Sequence, residues 1–224
     1  MKKMTDNKPT EFKVAGGKHE EGIVYGNTFD KYGSKNPIVK WMMNGFDSTL
    51  MSFVKKVAPV TIHEVGCGEG FWVNKWNQQG YVARGCDFSE EVIAIAKHNA
   101  STSEANSSAY SVKSIYDLDP SVDGADLIVC CEVLEHLENP HEGIQRLQDI
   151  TQNYLILSVP REPIWCALNM LRGKYLSHLG NTPGHLQHWS KRSFVEFVSL
   201  YFDIETVASP FPWTMVVCKK KGRA

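Results

Sequence analysis

The chain has 224 residues, 42% hydrophobic and 22% charged, with 24 Lys and Arg against 25 Asp and Glu. That length and composition suit one sizeable folded domain and exclude disorder, collagen and coiled coil. A formal net charge of −1 leaves no bulk electrostatic footprint, so neither nucleic acid nor an anionic membrane is expected as a partner.

The N-terminal lysines are followed by polar residues where a secretory leader would place an apolar segment. Residues 24–37 are rich in aromatics and turn formers, Tyr25 and Tyr32 among them, and precede an amphipathic helix over 38–57. From about residue 58 strand and helix signals alternate, which predicts a mostly parallel α/β sheet. A strand over 60–65 runs into Gly66-Cys67-Gly68-Glu69-Gly70, and a helix over 71–79 closes at Gly80. A second strand over 81–86 meets Asp87. Ser89, with Glu90 and Glu91 behind it, then caps a helix that reaches about residue 100.

Strands follow over 109–114 and, with a continuous apolar run suited to burial on both faces, over 126–131. A helix over 140–150 and a strand over 154–159 lead to a long segment, 160–190. The chain closes with a helix over 191–200 and strands over 202–208 and 213–219 that pair antiparallel across residues 209–212. The division expected is an N-terminal cap and helix over 1–57 and a main domain over 58–224 with an insertion at about 160–190. Six cysteines without a C-x-x-C pair read as reduced thiols, and no run approaches the roughly 18 apolar residues of a membrane span. A cytoplasmic location is expected.

Glycines 66, 68 and 70 follow a strand and open a helix, where backbone without side chains admits a ligand. The spacing is not the dinucleotide G-x-G-x-x-G, and no phosphate-cradling loop occurs. Asp87 stands about 20 residues beyond the first glycine, at a strand end, where a carboxylate can accept both hydroxyls of a ribose. Together these features point to a ligand that carries a ribose.

Three blocks, 63–70 (HEVGCGEG), 85–89 (GCDFS) and 126–137 (DLIVCCEVLEHL), give the chain its resemblance to the class I S-adenosylmethionine (SAM)-dependent methyltransferases, small-molecule branch, as in the ubiquinone and menaquinone methyltransferases. The resemblance implies a Rossmann-like seven-stranded sheet, parallel but for an antiparallel last strand, with helices on both faces. It implies that Gly66, Cys67 and Gly68 lie against the methionine portion of SAM, with Glu64 organising the turn and the amino group. Asp87 would hold the ribose, Phe88 would flank the adenine, and Cys131 would line the pocket near the sulfonium. Ser114 and Ile115 fall where the family often has an acid for the adenine, a departure in this chain. Tyr25 or Tyr32 would close over the cofactor.

His136 follows the fourth strand, beside the expected methyl group, and is the first candidate for taking a proton from an acceptor hydroxyl. The segment after the fifth strand is long enough to be a substrate lid. Ile164, Trp165, Leu168 and Leu171 make an apolar helical stripe there, and Arg161, Arg172, Lys174, Lys191 and Arg192 outnumber Glu162. A small amphipathic or anionic acceptor held by Arg161, Trp165 and Tyr175 fits that composition; the stripe serves equally as a contact between two copies of the chain. His185 and His188 stand three apart in the lid and are the next proton acceptors. With no Cys or carboxylate close to them in sequence, no metal is expected. The expected reaction is O-methylation of a metabolite hydroxyl or carboxylate, with N- or C-methylation, a protein acceptor, or a SAM-binding regulatory module as the alternatives.

Overall fold

The computed structural model describes residues 12–16, 18–20, 23–27, 29–103 and 106–221. A short hairpin, β1 (Lys18–Glu20) and β2 (Ile23–Tyr25), precedes helix α1 (Pro37–Val57). Pro37 sits in the first turn of α1, and the Asn36 side chain accepts the Ile38 N–H at 2.9 Å, so the helix begins with its orphan donors met. Six buried residues of α1, from Met43 to Val54, enter the main core, which makes this helix a layer of the fold more than an appendage.

The remaining elements are β3 (Thr61–Val65), α2 (Phe71–Gln78), β4 (Val82–Asp87), α3 (Glu90–Thr102), β5 (Tyr110–Val112), α4 (Pro120–Asp123), β6 (Ala125–Cys131), α5 (Pro140–Ile150), β7 (Thr151–Pro160), α6 (Ile164–Leu171), α7 (Lys191–Ser199), β8 (Phe202–Ala208) and β9 (Trp213–Lys220). Strands β3 to β9 form one sheet in the order β5-β4-β3-β6-β7-β9-β8. All neighbours up to β7 are parallel, and β9 runs antiparallel between β7 and β8. The seven-stranded sheet with one reversed last strand is thus as expected.

The period-two alternation of buried strands sends successive side chains to opposite faces. Leu127 and Val129 of β6 join Trp72, Trp76 and Ile93 from α2 and α3 on the α1 side, while Ile128 and Cys130 join Ile144, Leu147 and Phe194 from α5 and α7 on the other. Ser89 caps α3 as predicted, accepting the Val92 N–H.

Differences from the sequence reading are local. Val60 stays outside β3 and exposed, because Asp126 draws its N–H and that of Thr61 to one carboxylate oxygen. β7 begins three residues early, at polar Thr151, whose hydroxyl donates to Leu147. In the lid, Leu171 of the expected apolar stripe is 83% exposed, and the buried residue is Asn169, whose amide donates to Gly180 O and Thr182 Oγ1 at 2.8 and 3.0 Å. Arg172 turns back to Asn169, and Arg192 pairs with Glu196 inside α7, so two of the cations counted from sequence are engaged locally.

Candidate active site

Parallel strands deliver their C-terminal ends to one edge of the sheet, and the loops leaving β3, β4 and β6 build the site there. After β3 the chain reverses through Gly66, Gly68 and Gly70 with φ of +75°, +52° and +82°. The three glycines have different reasons to be there. A Cβ on Gly66 would meet Val133 at 2.2 Å and one on Gly70 the Tyr110 hydroxyl at 2.6 Å, whereas one on Gly68 would enter open space. Gly66 and Gly70 permit packing; Gly68 leaves a cradle beside bare backbone.

Asp87, ending β4, accepts the Gly68 N–H at 3.1 Å through Oδ2 and the Ser89 N–H at 3.2 Å through Oδ1. Burial raises its pKa, against the pull of those two donors. Glu64 is buried on β3; its carboxyl accepts the Val73 N–H in the first turn of α2, and Oε2 has no partner. Burial, then the neighbouring Asp87, holds its pKa well above the carboxylate range. An open cradle at Gly68, an orphaned acceptor on Glu64 and a carboxylate with spare lone pairs at Asp87 match the donors of SAM, an amino group and ribose hydroxyls.

The other residues named from sequence divide. Phe88, 42% exposed in the bend after β4, stands where a planar base can lie against it. Cys131 ends β6 with its thiol bonded to Ser158 and raised in pKa by burial. Cys67 is turned into the core, where it packs on Gly85, and offers only backbone. Ser114 caps the short turn 115–117, accepting the Tyr116 N–H, and Ile115 is buried in the second core, so its side chain is spent on packing. Tyr32 stacks on Phe71, 3.7 Å between centroids and 4° between planes, beside Glu64, Glu69 and Cys131; burial raises its pKa. The side chain of Tyr25 lies outside the described residues.

Glu69, buried within the glycine turn, accepts the N–H groups of Ala15 and Asn27 at 3.0 and 2.7 Å and the Asn27 side-chain amide at 2.5 Å. Asn99 adds a pair of bonds to Lys13 and one to Glu69 O. The N-terminal segment is thereby fastened across the turn.

Beyond β6 a second group of side chains gathers. Glu132 takes the left-handed conformation at φ +60°, unusual for a residue with a side chain, and is fixed there by Trp213 Nε1 donating to Oε2 at 2.6 Å and Ser158 Oγ to Oε1 at 3.3 Å. Glu135 is 2% exposed and both its carboxylate oxygens lack partners. Burial raises the pKa of both acids, and for Glu135 the charge of Glu132 adds to it. The charge of Lys31 draws the pKa of Glu64, Glu132 and Glu135 down against that burial.

His136 Nδ1 donates to Gly184 O, 2.9 Å away, and its ring meets that of His185 edge-on at 4.9 Å. His185 in turn lies parallel to Trp165 of the lid at 6.2 Å, and Trp165 contacts Trp213 at 6.0 Å. Burial lowers the pKa of His136, and that of His185 to about 3. His188 is directed elsewhere, to Glu162 Oε1 at 3.7 Å. Arg161 follows β7 with Nε buried and unpartnered, and Tyr175 stands at the far turn of the lid.

Glu132, Glu135 and Trp213 stand at this end of the sheet without a role in the sequence reading. The one available signal was two acids three apart, at 132 and 135, directly after a buried strand and beside a histidine.

Comparison with known proteins bears on the family and the fold. Residues 42–200 match the family model described as a methyltransferase domain. The chain is 33% identical over 82 residues to the ubiquinone biosynthesis O-methyltransferase of Coxiella burnetii, a match covering 37% of this chain and 35% of that protein. It is 28% identical over 109 residues to the enzyme of the same name from Glaesserella parasuis, covering 46% and 44%. The match thus spans less than half the length of these curated relatives. Among solved structures, the magnesium protoporphyrin IX methyltransferase ChlM of Synechocystis PCC 6803 with bound SAH superposes with a TM-score of 0.64 at 20% identity, over 84% of this chain and 90% of that one. The PH0226 protein of Pyrococcus horikoshii gives 0.67 at 16%, over 84% and 93%. No described helix is long and apolar enough to cross a membrane. With the family model covering most of the chain and the sheet order, glycine turn and strand-end carboxylate all in place, the chain belongs to the methyltransferase family and has the class I, SAM-dependent fold.

Proposed function

We propose that this protein transfers the methyl group of SAM to an oxygen of a small-molecule acceptor. The observation that carries the reading is the junction of two unlike walls at adjacent strand ends, an open glycine cradle with Asp87 and Glu64 on one side and Glu132, Glu135, His136 and His185 on the other. Bound SAM supplies an electrophilic methyl on a cationic sulfur, so no enzyme nucleophile is needed.

What the chain must do is bind, orient and exclude water. Asp87 accepts the ribose hydroxyls, Glu64 Oε2 the amino group, and bare backbone at Gly68 lets the methionine portion approach. Tyr32 on Phe71 closes the cofactor side, and Trp165, seated on His185 and Trp213, closes the acceptor side. The acceptor oxygen is activated in the cluster around His136 and His185; His188, turned to Glu162, stands apart from it. Arg161, with Nε unpartnered, suits an acceptor that also carries an anionic group. The O-methyltransferase names of the curated relatives support oxygen over nitrogen or carbon.

Calorimetric titration with SAM, then incubation with a panel of phenols, catechols and hydroxy acids, tests the reading. The expected outcome is SAM binding and an O-methylated product identified by mass spectrometry with one equivalent of SAH. Tighter binding of NADH than of SAM would overturn it, and SAM binding without turnover on any acceptor would make the protein a SAM-binding module instead.

A further inference from the structure

Glu162, Cys166 and His188 form a close group that the methyl-transfer reading leaves without a task, with one donor atom from each lying within 4.8 Å of the others. They stand at the two ends of the lid. Glu162 lies just before α6 and Cys166 in its first turn, while His188 precedes Ser190, the N-cap of α7. Glu162 Oε1 is shared between them, 3.3 Å from Cys166 Sγ and 3.7 Å from His188 Nδ1. The second distance is too long for a hydrogen bond, so the imidazole faces the carboxylate without being bonded to it. Donors about 2.1 to 2.3 Å from a tetrahedral ion lie roughly 3.4 to 3.6 Å apart, so both measured separations are already near those that a shared cation imposes.

The surrounding bonds hold the three in register. The other Glu162 oxygen, Oε2, accepts the Cys166 N–H at 3.1 Å, which fixes the carboxylate with Oε1 toward the thiol and the imidazole. The Glu162 N–H donates to Trp189 O at 2.9 Å, so the residue next to His188 is tied to the residue that supplies the carboxylate. Trp189 is itself seated on Phe194 and Phe197 of α7, 5.6 and 5.4 Å between ring centroids. The Glu162 side chain is 12% exposed and that of His188 42%, so an ion can enter from the His188 side.

We propose that Glu162, Cys166 and His188 bind a zinc ion that clasps the two ends of the lid. A thiolate and an imidazole with one carboxylate select zinc over magnesium or calcium, which favour all-oxygen sites. Water takes the fourth position of the tetrahedron. On binding, the Cys166 S–H proton passes to water as the sulfur–zinc bond forms. The site shares no ligand with the group at Glu135, His136 and His185. Its role is to fasten α6 to the segment before α7 and so close the lid between them into a loop. None of this rests on the methyl-transfer reading.

The test titrates Co²⁺, a coloured probe for zinc sites, into chelator-treated protein. Wild type is expected to develop a thiolate-to-cobalt charge-transfer band in the near ultraviolet, and Zn²⁺ to erase it by displacement. Cys166→Ser should abolish the band, and His188→Gln should raise the Co²⁺ concentration at half-saturation at least tenfold, with circular dichroism checking that each variant is folded. Two variants on separate segments keep the test open if one fails to fold. Arg172 and Lys174 are exposed between the ligands, so trypsin cleavage there should slow at least threefold with Zn²⁺ in wild type and stay unchanged in Cys166→Ser. No band in wild type, a band kept by Cys166→Ser, or an unshifted midpoint in His188→Gln would overturn the site, and cleavage indifferent to Zn²⁺ would overturn the clasp. The band needs no SAM, so its appearance in a protein that fails to bind SAM would overturn the methyl-transfer reading and leave the zinc site standing.

Discussion

The Gly68 N–H donates to Asp87 Oδ2 at 3.1 Å, so the carboxylate that ends β4 also clamps the glycine turn that ends β3. One side chain therefore holds two strand ends at the spacing a nucleoside needs, and its loss should be felt both in the ligand and in the empty site. Asp87→Ala should weaken SAM binding by roughly 1.5 to 3 kcal/mol, the scale of hydrogen bonds to a charged group. Calorimetry on a variant shown by circular dichroism to be folded checks this, and unchanged affinity would remove Asp87 from the cofactor site.

Gly68 and Gly70 should respond differently to the same change. Gly68→Ala places a methyl group in open space at φ +52°, so the expected cost to the fold is only about 1 kcal/mol, with SAM binding lost. Gly70→Ala drives a Cβ into the Tyr110 ring, which is itself bonded to Asn74, and should cost about 2 to 4 kcal/mol in the cofactor-free protein. Denaturant unfolding without cofactor, compared with SAM titration, separates the two.

The three histidines should also separate. His136→Ala and His185→Ala are expected to lose about 10²- to 10⁴-fold in turnover with SAM affinity nearly constant, and His188→Ala to lose threefold at most. Steady-state rates with a confirmed acceptor decide this; a loss confined to His188→Ala would mean the lid closes in a different register.

His63 on β3 gives a pH dependence of stability. It is fully buried with Nδ1 on Asp123 O at 2.8 Å, and burial lowers its pKa to about 4, against a bond to Asp123 that raises it and Arg84 and Lys113 that lower it. Between about pH 4 and 6.5 the unfolded chain binds the proton and the native one does not, so stability rises with pH across that window. The contribution is complete above about pH 6.5 and falls by roughly 3 kcal/mol toward pH 4. Urea unfolding of wild type and His63→Asn at pH 7 and 4.5 should show the slope in wild type and its loss in the variant.

Much of the fold was legible because its signals are local. Gly66 to Gly70, Asp87 and Ser89 lie at the ends of strands whose apolar runs mark them, and turn chemistry and capping depend on a few adjacent residues. The acceptor wall was less legible because it is assembled over long separations. Glu135 meets His185 across 50 residues, and Glu132 is held by Trp213 across 81. Periodicity marks Leu171 in the apolar stripe of the lid but cannot show that polar Asn169 is the residue the lid buries. Asn169 wins the interior because its amide satisfies Gly180 and Thr182, a need that hydropathy does not register.

Glu69 joins the N-terminal segment to the turn proposed to hold the cofactor, so it should set how fast that cofactor exchanges. Its carboxylate belongs to the glycine turn yet is engaged by Ala15 and Asn27, so the segment and the turn move as one piece. Any widening of the turn that frees spent cofactor must first break those bonds in a buried setting. Glu69→Gln keeps the shape but removes the charge that gathers the three donors. Its signature is therefore kinetic: SAH should leave faster, with a much smaller change in how tightly it is held at equilibrium.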